Sequence, residues 1–313
     1  MKLSLVIPCY NEEQSVARFF AAAQQTFRDT GYAYEYVFVD DGSRDGTLAE
    51  LKKLCRTQQA PVKVLSFSRN FGKEAAILAG LRHASGDYVS VIDADLQQHP
   101  DIVRTMVAML DADSDLDCIA AVQAQRHESA VLSGFKKAFY CIINRMSSTE
   151  FVSGASDFRT MRRQMVNEVV NLSEYHRFSK GIFSWVGFHT KYIPYEVHER
   201  AAGESKWNFR KLFRYALDGI ESYSVSPLKL PLWLGVFNTG LAAVYLLLHL
   251  ILWLCGICLP LAALLVGVIV FFAGLNLICL GIFGEYLAKA YIQGKNRPIY
   301  ILRESLSNEE HEN

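Results

Sequence analysis

Hydrophobic positions in the first 125 residues fall into short strand-like segments that alternate with helical ones. Five apolar segments rich in Val and Ile predict β-strands at 3–7, 36–39, 62–67, 88–92 and 118–122. The stretches between them predict helices at about 12–27, 45–57, 72–84 and 100–110. This alternation predicts an α/β fold, with a mostly parallel sheet and helices on both of its faces.

A different pattern begins near residue 230. From Leu230 to Gly284 the chain contains no Asp, Glu, Lys or Arg. At about 1.5 Å per helical residue, this run is much longer than a bilayer core of about 30 Å requires. It predicts two transmembrane helices, at about 230–254 and 260–284, rather than one overlong buried helix. Cys255 and Cys258 lie in the turn between them, where small residues of a membrane turn are favoured over a disulfide.

Two amphipathic segments, 131–146 and 207–220, combine helical spacing of apolar residues with aromatic and basic side chains. They predict helices that lie in the membrane interface, with surface helices packed on the domain's own core as the alternative. The chain is therefore expected to consist of a first domain at 1–225, a membrane part at 226–288 and a tail at 289–313.

The formal net charge is zero, so the charge balance does not favour nucleic acid as a partner. Basic residues flank both predicted spans: Arg210, Lys211, Arg214 and Lys229 precede them, and Lys289, Lys295, Arg297 and Arg303 follow them. Because the connecting loop is uncharged, the positive-inside rule predicts that both termini are cytoplasmic. The N-terminal apolar run is too short for a signal peptide, so the first domain is also expected in the cytoplasm.

Polar segments follow three of the predicted strands, at the point where each strand ends. These segments are 8–13, 40–46 and 93–97. Because ligands bind at the carboxyl ends of the strands in parallel sheets, we expect the three segments to converge on one site. Each segment alone is compatible with a turn or a helix start, but the three together favour a binding site.

Asp93 and Asp95 are separated by one residue at a strand end, so both carboxylates can point to the same side. Hard oxygen ligands of this kind suit Mg²⁺ or Mn²⁺ bridging to a diphosphate, and Gln97 offers a third oxygen. Such an ion would neutralise charge on a departing nucleotide diphosphate. Asp40 or Asp41 could accept hydrogen bonds from a base or a ribose. The chain has neither the glycine-rich dinucleotide motif nor a P-loop, which disfavours both of those sites.

Eight segments resemble family 2 glycosyltransferases and, within that family, the polyisoprenyl-phosphate glycosyltransferases. They are IPCYNEE at 7–13, VDDGSRDGT at 39–47, SFSRNFGKEAAILAGL at 66–81, VIDADLQ at 91–97, GASDFRTM at 154–161, RFSKGIFSWVGF at 177–188, RAAGESKWNFRKL at 200–212 and GEYLAKAY…RPIY at 284–300. The segments before residue 100 resemble the broad family, and those from 154 onward look like its bactoprenol glucosyltransferase branch.

The resemblance implies a donor-binding domain of the GT-A type that transfers a sugar with inversion at its anomeric carbon. The positions that match nucleotide-binding residues are Pro8, Tyr10, Glu12 and Asp40. The positions that match the metal and diphosphate site are Asp93, Asp95 and Gln97, and Asp157 matches the residue usually assigned as the base. The positions that match phosphate-holding residues are Arg126, Arg200 and Lys206, with Ser205 standing where the branch often has Thr.

The resemblance further implies transfer of glucose from UDP-glucose to undecaprenyl phosphate or a related polyisoprenyl phosphate, with Mg²⁺ or Mn²⁺ as cofactor. The alternatives are transfer of an amino sugar, galactose or mannose to the same lipid, and a non-catalytic membrane binding or scaffold role. A processive polysaccharide synthase is disfavoured because the chain has no Q-x-x-R-W motif. Gly267, Gly274 and Gly281 fall seven residues apart, so a homo-oligomer packed through the hairpin is a further expectation.

The family commonly continues D-A-D-L-Q with Asp-Pro-Pro, whereas this chain has Gln98, His99 and Pro100. We expect the departure to leave the metal positions unaffected and to alter the rim near the sugar. We also expect His99 to start a helix rather than to bind a ligand. The role of Asp157 as a base stays open, because a phosphate monoester has a second pKa of about 6 and needs no proton removed at neutral pH.

Overall fold

The structure is a computed structural model, and it describes residues 1–28, 30–123, 152, 155–175, 177–195 and 261–308, with isolated helical positions between 234 and 254. Strands β1 to β8 are Lys2–Cys9, Ala33–Asp40, Val62–Phe67, Tyr88–Val91, Cys118–Gln123, Ala155–Arg162, Thr190–Tyr195 and Leu302–Ser307. Helices α1 to α7 are Val16–Phe27, Thr47–Thr57, Lys73–His83, Pro100–Ala112, Arg163–Asn171, Ser179–Trp185 and Leu261–Gly294.

The eight strands form one mixed sheet in the order β7-β5-β6-β4-β1-β2-β3-β8. Its centre is parallel: β1 pairs with β2 and β4, and β2 pairs with β3. Strand β6 runs antiparallel to β4 and β5, and β8 runs antiparallel to β3. The predicted α/β class with a mostly parallel sheet is confirmed, and the carboxyl ends of four adjacent strands meet at one edge.

Helices cover both faces of the sheet, because alternate residues of the central strands point to opposite sides. In β1, Leu5 and Ile7 join the core beneath α1, α2 and α4, whereas Val6 joins the core beneath α3, α5 and α6. The central strands are buried on both faces of the sheet, which explains why the sequences of these strands are nearly continuous apolar runs.

The first helix begins later than its predicted start at residue 12. Residues 13–15 form a turn in which the Glu12 carbonyl accepts hydrogen bonds from the N–H groups of Ser15 and Val16. Helix α1 therefore starts at Val16 and leaves the segment after β1 free to line the edge of the sheet.

Helix α7 extends to Gly294, beyond the predicted end at 284. Within the described residues, one stretch, Phe272–Gly294, is long and apolar enough to cross a membrane, and none of its most apolar window is buried. The last turn is anchored, since Gln293 accepts a hydrogen bond from the Tyr175 N–H at 2.7 Å and donates one to the Ser173 carbonyl at 2.9 Å.

The chain that follows α7 returns to the sheet. Tyr300 stacks on Phe67 with ring centroids 5.0 Å apart, and β8 then pairs along β3. Lys52 and Glu304 form an ion pair at 2.6 Å across this edge. Part of the predicted tail at 289–313 is thus the edge strand of the first domain's own sheet.

Candidate active site

A cleft of about 290 Å³ opens at the carboxyl ends of the central parallel strands. Its walls come from all four of these strands and the segments after them: Pro8, Tyr10, Glu12, Asp41, Asn70, Gly72, Lys73, Ala76, Asp93, Ala94 and Asp95. The three polar segments singled out from the sequence therefore converge on one site, and the segment after β3 joins them.

The segments after β1 and β2 are held together by side chains that bond to backbone groups. Glu12 N–H donates to Thr47 Oγ1 at 2.8 Å, and Asn11 N–H donates to Ser43 Oγ at 3.0 Å. Asn11 adopts a positive φ of 56°, a conformation that Asn tolerates better than most residues. These bonds fix the cleft wall that carries Tyr10 and Glu12.

Gly42 permits the segments after β2 and β3 to touch. Its φ is +63°, and a Cβ at this position would lie 2.4 Å from the backbone carbonyl carbon of Arg69. Only a residue without a side chain fits such an approach. The contact brings Asn70 and Gly72 into the cleft.

Asp40 and Asp41 both serve the architecture of this wall. Asp40 is buried, and its two oxygens accept from Ser43 N–H at 3.1 Å and from Ser66 Oγ at 2.9 Å. Asp41 accepts from the N–H groups of Phe71, at 2.7 Å, and Gly72. Burial raises the pKa of Asp41 to about 6. Asp41 lines the cleft, whereas Asp40 lies behind it.

Asp93 and Asp95 lie side by side on the wall that follows β4. Asp95 Oδ1 accepts a hydrogen bond from the Gln97 N–H at 3.1 Å, and Leu96 between them adopts a φ of +60°. Both Asp93 and Asp95 line the cleft. Gln97 is not among the residues that line it.

Gln98, and not Gln97, is the amide that contacts a predicted metal position. Its Oε1 accepts from the Asp93 N–H at 3.1 Å, its Nε2 lies 3.4 Å from Asp93 Oδ2, and the side chain is buried. The expectation that the Gln98–Pro100 departure leaves the metal positions unaffected is therefore wrong. The reason is that the chain turns back after Asp95, which places residue 98 against residue 93.

His99 starts a helix, as expected. It is the N-cap of α4, its Nδ1 accepts from the Asp101 N–H at 3.3 Å, and Pro100 occupies the first turn.

Lys73, the first residue of α3, is the positively charged residue among the described residues that line the cleft. Its Nζ lies 2.6 Å from Asp93 Oδ1 and 3.6 Å from Asp157 Oδ2. Partial burial would lower the pKa of Lys73, but these two carboxylates raise it above its usual value. The ammonium group therefore stays charged beside them.

Asp157 lies on β6, and Lys73 approaches both this carboxylate and that of Asp93. Its side chain is 17% exposed, and its Oδ1 is buried with no hydrogen-bond partner among the described residues. Burial would raise the pKa of Asp157, but the charges of Lys73, Lys180 and Arg159 hold it below its usual range. Asp157 is thus an ionised carboxylate with an oxygen available for a further partner.

Glu74 connects α3 to the helix behind Asp157. Its carboxylate accepts a hydrogen bond from the Ser179 N–H at 2.8 Å and another from the Ser179 hydroxyl. Because Phe178 provides no side-chain cap for α6, Glu74 supplies that cap from another helix. Burial and the nearby charge of Asp157 raise the pKa of Glu74 to about 7.

The cleft fits a divalent ion only as a site shared with a ligand. No group of three His, Cys, Asp or Glu side chains in the described part of the chain is arranged to hold a metal. Asp93 and Asp95 nevertheless offer the one or two carboxylates with which Mg²⁺ is commonly bound together with substrate phosphates.

Four predicted phosphate-holding residues lie outside the described residues: Arg126, Arg200, Ser205 and Lys206. The same holds for the predicted interfacial helices at 131–146 and 207–220 and for most of the predicted span at 230–254.

Sequence reasoning assigned no role to Lys73, Asn70 or Gln98. A signal was present for the first two, because the polar residues after the third strand occupy the same edge of the sheet as the other segments. Gln98 departs from the family pattern, but its contact with Asp93 depends on a turn that spacing does not predict.

A mostly parallel sheet with paired carboxylates at its strand ends is typical of α/β enzymes that bind nucleotides. The model of Glycosyl transferase family 2 matches residues 4–170. The chain belongs to this family and is a glycosyltransferase.

Curated relatives match nearly the whole chain. CsbB of Bacillus subtilis, a protein named as a glycosyltransferase, is 38% identical over 304 residues, which cover 97% of this chain and 92% of CsbB. The SfII prophage-derived bactoprenol glucosyl transferase of Shigella flexneri is 37% identical over 97% of this chain and 98% of its own. The prophage bactoprenol glucosyl transferase homolog of Escherichia coli K12 is 35% identical over 97% of this chain and 99% of its own.

Solved structures with a similar fold are more distant. The mannosyltransferase PcManGT of Pyrobaculum calidifontis has a TM-score of 0.45 and 18% identity, covering 93% of this chain and 86% of its own. Glucosyl-3-phosphoglycerate synthase of Mycobacterium tuberculosis has a TM-score of 0.47 and 18% identity, covering 70% of this chain and 78% of its own. Similarities of this size do not transfer a ligand to this chain.

Proposed function

We propose that this glycosyltransferase transfers glucose from UDP-glucose to undecaprenyl phosphate or a related polyisoprenyl phosphate at the cytoplasmic face of a membrane. The observation that carries the proposal is the extent of the similarity to bactoprenol glucosyl transferases. It covers 97% of this chain at 37% identity, and so includes both the cleft and the C-terminal apolar helix. A soluble acceptor would not require the second of these parts.

The path of the chain supports two membrane spans. Strand β8 pairs with β3 in the same sheet, so the chain lies on one side of the membrane both before and after its apolar region. A chain that returns to its starting side crosses the bilayer an even number of times. If α7 is one crossing, the uncharged segment at 230–254 supplies the other.

The outer surface of α7 supports its contact with lipid. Large apolar side chains such as Ile269, Leu280 and Phe283 are more than half exposed. At about 1.5 Å per residue, its 34 residues exceed the thickness of a bilayer core. The last turns, with Glu285 and Lys289, then extend beyond the hydrocarbon towards the cytoplasmic domain.

In the proposed reaction the phosphate oxygen of the lipid attacks C1 of the sugar from the face opposite the departing nucleotide diphosphate. Asp93 and Asp95 would hold Mg²⁺ or Mn²⁺, which supplies positive charge to the leaving diphosphate when it is bound. Tyr10 and Glu12 line the same cleft and would contact the nucleotide.

Asp157 is proposed to position the acceptor side of the reaction rather than to remove a proton. A lipid phosphate monoester is largely dianionic at neutral pH and is already a nucleophile. Arg126, Arg200 and Lys206 are proposed to hold the phosphate groups, since electrostatic stabilisation is usually the largest contribution in such chemistry.

The test is transfer of label from nucleotide sugars into the organic phase, with purified full-length protein, undecaprenyl phosphate and Mg²⁺ or Mn²⁺. The proposal expects transfer from UDP-glucose, loss of transfer with EDTA, and a product of inverted anomeric configuration. Transfer from a different nucleotide sugar would correct the donor. A retained configuration would contradict the direct attack, and no transfer by folded protein that still binds nucleotide would contradict the reaction itself.

A further inference from the structure

Among the described residues, one ammonium group, that of Lys73, links Asp93, which is proposed to hold the metal, to Asp157, which is proposed to position the acceptor. Lys73 Nζ contacts both oxygens of Asp93, at 2.6 and 2.9 Å, and lies 3.6 Å from Asp157 Oδ2. The proposed function assigns Asp93 to the metal and Asp157 to the acceptor, but it assigns nothing to the cation between them.

Residues on both sides of Lys73 are anchored, Phe71 and Gly72 through their backbone and Glu74 through its side chain. Asp41 accepts hydrogen bonds from the N–H groups of Phe71 and Gly72, and Glu74 accepts one from the Ser179 N–H. The side chain itself is 45% exposed, so its ammonium group can move by a change of rotamer while its backbone stays in place.

Lys73 and a divalent ion compete for the same carboxylate. Two cations at Asp93 repel each other, and the repulsion is strong in a cleft that is partly shielded from water. A nucleotide diphosphate removes this conflict, because its own negative charges can face both cations. Mg²⁺ in particular is commonly bound through carboxylates and substrate phosphates together.

We propose that Lys73 is a positioning residue that makes binding of the divalent ion depend on the donor. In the donor-free protein the Lys73 ammonium group neutralises the Asp93 carboxylate and also interacts with the Asp157 carboxylate. When the nucleotide diphosphate enters, Lys73 yields Asp93 to the ion and remains beside Asp157. The inference rests on the proposed function, because it takes a nucleotide diphosphate as the charged part of the donor.

The experiment measures Mn²⁺ binding to the full-length protein by isothermal titration calorimetry, with and without UDP. In the wild-type protein UDP is expected to tighten Mn²⁺ binding. In Lys73→Met, Mn²⁺ binding without UDP is expected to tighten roughly tenfold or more, which is the low end of what one nearby charge does to an ionic equilibrium. The enhancement by UDP should shrink accordingly.

Two variants control for charge. Lys73→Arg keeps the cation and should retain the wild-type dependence on UDP. Lys53→Met removes one lysine from an exposed position on α2, where the side chain is 69% exposed, and should leave Mn²⁺ binding unchanged. Lys73→Gln repeats the test if Lys73→Met does not fold.

Mn²⁺ binding without UDP that is unchanged or weaker in Lys73→Met would overturn the inference. So would a wild-type protein that binds Mn²⁺ equally well with and without UDP. Because the calorimetry measures no sugar transfer, these outcomes do not bear on the proposed reaction, which the label-transfer assay tests. Conversely, if the protein did not transfer sugar from UDP-glucose, UDP could still tighten Mn²⁺ binding, and the role of Lys73 would stand.

Discussion

The side-chain amide of Gln98 accepts a hydrogen bond from the backbone N–H of Asp93 at 3.1 Å. This bond holds the start of the turn that carries Asp93 and Asp95, the two carboxylates of the proposed donor site. It arises from a residue five positions downstream, at a place where the chain departs from the usual family pattern.

Gln98→Ala is expected to weaken donor binding. The change leaves the partly buried Asp93 N–H without this partner, at a cost of about 1 kcal/mol, and allows the Asp93 carboxylate more freedom to move. We expect the KM for the nucleotide sugar to rise about tenfold with a smaller effect on kcat. Gln97→Ala is the matched comparison, and an equal rise in that variant would show that Gln97 rather than Gln98 governs the site.

Asp95→Asn is expected to abolish most of the sugar transfer. The amide keeps the shape of the carboxylate but removes the charge that would bind a divalent ion, so we expect a loss of about 100-fold or more in kcat/KM. Asp113→Asn, an exposed acidic residue in the loop after α4, should retain full activity. Wild-type activity in Asp95→Asn, measured by label transfer, would exclude a metal role for this residue.

The pH profile of transfer separates two roles for Asp157. If the lipid phosphate is the nucleophile without prior deprotonation by the enzyme, kcat/KM for the lipid should fall below a pH of about 6, where the phosphate gains a proton. Asp157→Asn should lower kcat and keep this acidic limb. A limb that disappears in Asp157→Asn would instead identify Asp157 as the titrating base.

Glu35 should make the folded protein sensitive to acid. Burial would raise its pKa, but hydrogen bonds from Ser4 and Ser85 and the ammonium groups of Lys63 and Lys2 lower it to about 2. Since the folded pKa lies below the unfolded value near 4.5, the stabilisation is complete above pH 4.5 and is lost as the pH falls through about 2.

The expected size of this contribution is about 3 kcal/mol at neutral pH. Glu35→Gln should therefore unfold at a clearly lower temperature than the wild type at pH 7, and the difference should shrink at pH 3. Thermal unfolding of both proteins in the same detergent measures it. A difference that is constant with pH would show that the loss is one of packing alone.

A chain that ends at Ile301 should be less stable and should self-associate. It lacks β8, so the edge of β3 presents unpaired backbone groups that can pair with another chain. Size-exclusion chromatography in detergent should show larger species at reduced activity. A chain that ends at Asn308 keeps β8 and is the control, and identical behaviour of the two truncations would contradict a structural role for this strand.

The central strands and the site they carry were predictable, whereas the outer strands were not. β1 to β5 are buried on both faces or end in polar turns, so their apolar runs stand out. Strand β8 is exposed on alternate residues and β7 has little buried surface, so neither shows a distinct apolar pattern. Strand β6 carries Asp157, Arg159 and Arg162, whose charges conceal it in the sequence. Asp157 and Arg162 are compensated by contacts distant in sequence, with Lys73 and with the Leu116 carbonyl.

The same distinction holds within the cleft. Asp93 and Asp95 are recognisable because their spacing has a chemical meaning of its own. Lys73 and Gln98 act through contacts with Asp93 that span 20 and 5 residues, and only the folded chain places them there.

The position of β8 also sets the order in which the sheet can be completed during synthesis. The strands around the cleft are made first, and domains generally begin to fold during synthesis from the N-terminal side. Their sheet keeps an open edge at β3 until the last strand arrives, and that strand follows the apolar helix in the chain. If the helix spans a membrane as proposed, a molecule whose helix is not inserted, and whose last strand therefore cannot reach β3, keeps an unpaired strand edge beside its active site. Under that proposal, completion of the sheet depends on insertion of the helix into the membrane.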